Sequence, residues 1–216
     1  YADLDLFGNA VEPPEGGYLS VYVRGETIAE LIAGARLGRA LVVAAGDRPM
    51  DAVAAANLVR AGMVEAVIGL RESEWLEVKG RPYRLSAPEG QAARHKFELA
   101  QDVARFANGD VDGVLLVGYR TDAADADVEV VADLSPVRLS DSSPEQHRKV
   151  IDARVYPAVE GLRVDQVALS DDSAVLVIEI PRQPEFLKPF LVHGAVIDGR
   201  VDGSFAIVSR YRAGSL

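Results

Sequence analysis

The sequence predicts an α+β fold in which a mixed or antiparallel sheet is flanked by helices. Three observations predict it. Helical and strand patterns interleave as far as about Val155, strands dominate beyond that point, and "GVLLVGY", Gly113 to Tyr119, is a continuous apolar run suited to a central strand.

The leading "YADLDLFGNAVEPPEGG" reads as loop, because Pro13-Pro14 and Gly16-Gly17 punctuate it. "YLSVYV" alternates as a short strand. In "ETIAELIAGARLG", Thr27 and Glu30 stand at capping-box spacing, and Ile28, Leu31, Ile32 and Ala35 share a helical face. "ALVVAA" has the composition of a buried strand. "DRPMDAVAAANLVRAG" predicts a helix capped by Asp47, with Pro49 near its first turn and Gly62 past its end. "MVEAVIGL" adds a helical turn or two.

"WLEVKG" alternates with period two, so Trp75, Glu77 and Lys79 are expected on one face and Leu76 and Val78 on the other. "RHKFELAQDVARFANG" is the strongest helical pattern, with Phe97, Ala100, Val103, Ala104 and Ala107 at three- and four-residue steps. "VEVVADL" predicts a strand. "SSPEQHRKVI" opens a helix capped by Ser143, with Pro144 at its first position and Gln146 at capping-box spacing. "LRVDQVALSDDSAVLVIEIP" reads as a hairpin turning at "SDDS", and "FLKPFLVHG" and "SFAIVSRYR" supply two further strands.

At 216 residues, the chain is long enough for one well-filled domain and an appendage. No apolar run approaches the ~20 residues that cross a bilayer, so no membrane partner is expected. The absence of cysteine excludes disulfides and thiolate metal sites and fits a cytoplasmic origin. The chain opens on Tyr1 rather than Met, which reads as a trimmed or processed form. Net charge is −10, with 5 basic against 9 acidic residues over 1–70, 8 against 8 over 71–120, and 10 against 16 over 121–216. Nucleic-acid affinity rests largely on counterion release by basic side chains, so any such site must be a local patch, and the neutral middle third is where to look.

No Walker phosphate loop, G-x-S-x-G elbow or H-E-x-x-H helix occurs, and no nucleotide cofactor is expected. "NGDVDG", Asn108 to Gly113, imitates half a calcium loop, but position twelve would be Tyr119, so it reads as a helix-to-strand turn. His95, His147 and His193 are far apart and read as surface or boundary residues. The stretch "LRESEWLEVKG", Leu70 to Gly80, crowds Glu72, Glu74 and Glu77 around Trp75 and Lys79. Such a cluster is most simply a solvated edge. It could also hold a hard divalent cation if the chain bends near Ser73, since on a straight strand Glu72 and Glu77 point to opposite faces.

The order of segments carries more information. "ESEWLEVKG", the helix ending "ELAQDVARFANG", the strand "GVLLVGY", the stretch "AVLVIEIPRQPEFLKPFLVHG" and the ending "YRAGS" together resemble the Alba-like nucleic-acid-binding domain of the Schlafen family. The resemblance covers residues 64–216 and leaves 1–63 as a small α/β extension of unassigned role. It implies an α+β domain that binds RNA or DNA in a regulatory or defence protein. In some members it is a metal-dependent endoribonuclease acting on structured RNA such as tRNA. The family's first two catalytic acids match Glu72 and Glu77. The third belongs just past "GVLLVGY", where this chain has Tyr119 and Arg120, and Asp122 supplies it only after a two-residue shift. The resemblance thus implies Glu72, Glu77 and Asp122 as the catalytic and Mg²⁺- or Mn²⁺-binding set. Lys79 matches a family lysine, and Arg94, Lys96, Arg120, Arg210 and Arg212 complete the expected nucleic-acid contacts. Three functions fit these residues: binding without cleavage, cleavage, and a protein-interaction or homo-oligomeric assembly role.

Overall fold

The computed structural model describes residues 3–7, 20–45, 49–125, 128–197 and 200–207. They form four α-helices around a mixed sheet, as the α+β expectation requires. The sheet is built from β3 (Leu76–Lys79), β4 (Gly113–Val117), β10 (Ser173–Ile180) and β7 (Val137–Arg138) in that order, with β9 (Arg163–Ala168) also paired to β10. β3 runs parallel to β4, and the remaining pairs are antiparallel. The parallel pair requires a crossover, which is α3 (Glu89–Ala107).

Both faces of this sheet are covered, which is why β4 is apolar throughout and wholly buried. On one face, Leu115, Val117, Leu176, Ile178 and Ile180 pack against Phe97, Ala100, Val103 and Ala104 of α3. α4 (Pro144–Arg154) adds Ile151 to that core, and β8 (Val155–Tyr156) adds Val155. On the other face, Leu76, Val78, Val114, Leu116, Val175 and Val177 pack against Ala52, Ala55, Ala56 and Val59 of α2 (Ala52–Arg60). Residues on both sides of position 63 therefore share one core.

Two smaller sheets complete the fold. β11 (Leu191–Ile197) lies between β12 (Arg200–Ile207) and β8. β5 (Tyr119–Asp125) and β6 (Val128–Leu134) form a ribbon. The side chain of Asn108, at the end of α3, clamps β11: Nδ2 donates to the Phe190 carbonyl at 2.9 Å and Oδ1 accepts from the Phe190 amide at 2.7 Å.

Several local expectations need correction. β1 (Asp3–Phe7) forms inside the stretch read as loop, because Asp3-Leu4-Asp5-Leu6 alternates ahead of the breakers, and it pairs with β2 (Ser20–Arg24), the strand expected at "YLSVYV". "ALVVAA" is not a strand but the end of α1 (Ile28–Ala45), an apolar run that continues the helix begun at the Thr27–Glu30 capping box. α2 is capped by Asp51, whose side chain accepts from the Ala54 amide at 2.7 Å, and Asp47 lies outside the described residues. His147 is buried, not at the surface, since α4 turns it onto Tyr83. Trp75 packs with Leu76 and Val78 and not on the Glu77 face, because β3 begins only at Leu76.

Candidate functional site

The acidic stretch folds as a bend between two sheets. Gly69 donates to the Val131 carbonyl at 2.8 Å, Val131 to the Leu70 carbonyl at 2.9 Å, and Glu72 to the Glu129 carbonyl at 2.8 Å, so residues 69–72 run along β6. The Ser73 amide then donates to the Leu76 carbonyl at 3.0 Å and reverses the chain into β3. Trp75, just ahead of β3, and Lys79, at its end, accept hydrogen bonds from Val114 and Gly118 of the β4 segment. The backbone groups of Leu76 and Val78 consequently point to the outer side, where Glu72 Oε1 accepts from the Val78 amide at 2.8 Å. The expected bend near Ser73 exists, and it brings Glu72 to the strand that carries Glu77.

Glu77 and Lys79 alternate away from the Leu76–Val78 core and face α3. There, His95, Glu98, Asp102 and Arg105 recur at three- and four-residue steps on one side of the helix. Asp102 is 2% exposed and is the hub. It accepts from Tyr83 Oη at 2.5 Å and from Arg105 at 2.6 Å, and Lys79 Nζ lies 3.5 Å away. Lys79 also donates to Glu77 Oε1 at 2.9 Å, and Arg105 lies 3.7 Å from the other Glu77 oxygen. Two carboxylates thus face two cations, the condition under which buried charge is tolerated. Burial works against the Lys79 ammonium, but Asp102 and Glu77 outweigh it and raise its pKa. Burial, then Asp102, pushes the Tyr83 hydroxyl well up, so it stays a donor.

Above this network opens a cleft of about 400 Å³ lined by Lys79, Arg81, Tyr83, His95, Glu98 and Arg120. It sits at the carboxyl ends of the parallel strands β3 and β4, where ligands collect in parallel α/β arrangements. Of the expected nucleic-acid contacts, Lys79 and Arg120 meet here. Arg120 is paired with Asp122 on the same strand. Lys96 is on another side of α3, beside Lys149 and Arg154 of α4, and Arg94 is exposed. Arg210 and Arg212 lie outside the described residues.

The three carboxylates expected as a metal set do not converge. Glu72 serves the Val78 amide, Glu77 serves Lys79 and Arg105, and Asp122 serves Arg120 on the β5–β6 ribbon. Among the described residues, no group of three or more His, Asp or Glu side chains is placed to hold a metal ion. Sequence reasoning missed Arg81, Tyr83, Asp102 and Arg105. A signal existed: His95, Glu98, Asp102 and Arg105 form a polar stripe on a helix otherwise read for its apolar face.

No family model matches the chain, and no curated protein does. Among solved structures, the chain is similar over 67% of its length to 26% of the DIP2311 protein from Corynebacterium diphtheriae, with 17% identity and a TM-score of 0.36. The chain spans about a quarter of that protein, and a likeness so low fixes neither fold nor function. No described helix is long and apolar enough to cross a membrane.

Proposed function

We propose that the chain is a nucleic-acid-binding domain of a Schlafen-like regulatory or defence protein of the cytoplasm, one that holds an RNA or DNA backbone without cutting it. The observation that carries this reading is the meeting of Lys79, Arg81 and Arg120 in one cleft at the carboxyl ends of two parallel strands. Arg81 has no carboxylate partner among the described residues and is exposed, so it is available to a phosphate. His95, partly exposed, lines the same cleft and offers a ring face beside that charge. The carboxylates that would be needed for cleavage are occupied by cations and an amide, which favours binding over hydrolysis.

The test is incubation with labelled tRNA and with DNA, in Mn²⁺ and in chelator, scoring both mobility shift and fragment length. A shift without fragments, weakened at least tenfold by the double substitution Arg81→Glu and Arg120→Glu, is the expected result. Mn²⁺-dependent fragments that vanish in Glu77→Gln would replace this reading with a metal-dependent endoribonuclease. No retention of either nucleic acid, together with a stable oligomer on size exclusion, would replace it with an assembly module.

A further inference from the structure

A second basic site lies on the opposite face of the central sheet. Arg163 of β9 stands across from Glu179 of β10, and both side chains share the face of Val175 and Val177, against α2. Glu179 is buried and accepts from Arg60, with Arg163 Nη1 at 3.4 Å. Arg60 Nε also donates to Asp165 at 2.7 Å. A third guanidinium, Arg36 of α1, faces the same groove and has no carboxylate partner among the described residues. Three guanidiniums thus stand over two carboxylates, a surplus of one positive charge on a body of net charge −10.

That surplus is costly as it stands. Burial lowers the Arg163 pKa, and Arg60 and Arg36 lower it further, while Glu179 and Asp165 only partly offset them. Arg60 Nη2 is buried with no acceptor, so the two carboxylates do not saturate the cluster either. The groove above encloses about 640 Å³, within the range of small-molecule sites, and its second wall is apolar: Ile32, Ala33 and Leu37 of α1. A positive end and an apolar wall in one groove select an occupant with one anionic head and a hydrocarbon body.

We propose that the groove between α1, α2 and β9 binds a small amphipathic carboxylate, its head on Arg36 and Arg163 and its body along Ile32 and Leu37. A planar two-oxygen head matches the guanidinium fork. The proposal is independent of the nucleic-acid cleft, which faces α3.

Titration calorimetry on the whole chain with octanoate tests it, with acetate, inorganic phosphate and octanol as comparators. Octanoate should saturate one site per chain. Octanol, which lacks the charge, and acetate and phosphate, which lack the body, should each bind at least tenfold more weakly. Arg36→Glu and Ile32→Asp, both at exposed positions, should each weaken octanoate at least tenfold. Non-saturating heats, equal affinity for phosphate, acetate or octanol, or octanoate binding unchanged in both variants would each overturn the proposal.

Discussion

Asp102 shows how one buried acid can organise a site without contacting a ligand. It holds Tyr83, Arg105 and Lys79 at once. Removing one partner of a buried charge network leaves the others unpaired, so Asp102→Ala should lose about 3–5 kcal/mol in urea unfolding. Asp102→Asn keeps an acceptor for Tyr83 and should lose less. His147 carries a pH signature. Burial lowers its pKa from the ordinary 6.5, although its contact with the Ser143 carbonyl at 2.8 Å works the other way. The unfolded chain takes up a proton near that pH which the folded chain resists. This contribution is complete above about pH 6.5, and it declines as pH falls through the lowered value. A plot of urea midpoint against pH should bend downward there, and His147→Leu should flatten the bend.

At the scale of elements, the tightest constraint is where α3 meets β4. A Cβ on Gly113 would lie 2.3 Å from Phe106 Cδ1, inside a core with no room to yield. Gly113→Ala should therefore cost about 1–3 kcal/mol by overpacking, measurable by chemical unfolding. Elements with one dominant local signal were legible in the sequence. α3 announced itself by its apolar steps, α4 by Ser143 and Pro144, and the β9–β10 hairpin by its polar turn. Elements decided by neighbours were not. "ALVVAA" suits a strand or a helix equally, and it is helical here as the end of α1, where Ala40, Leu41 and Val43 pack against α2. The candidate site was half legible for the same reason. Lys79 and Glu77 are two residues apart on one strand face, but Asp102 and Tyr83 join them only through the β3–α3–β4 crossover, whose geometry no local pattern encodes.

Over the whole molecule, charge limits what the cleft can do. With Lys79, Arg81 and Arg120 as its phosphate contacts, affinity should fall only roughly 20- to 40-fold between 50 and 200 mM salt. A far steeper loss would mean that cations elsewhere, beyond this cleft, take part. The bend at Glu72 also governs how copies of the chain behave toward one another. β3 is the last strand of its sheet, a rim that could template pairing with a foreign strand. Its outward carbonyl at Leu76 is taken by the Ser73 amide, and its outward amide at Val78 by the Glu72 carboxylate. The acid anticipated as a metal ligand thus caps an outward amide of an edge strand. Glu72→Ala, which strips that amide of its acceptor, should make sedimentation more concentration-dependent than that of the unsubstituted chain.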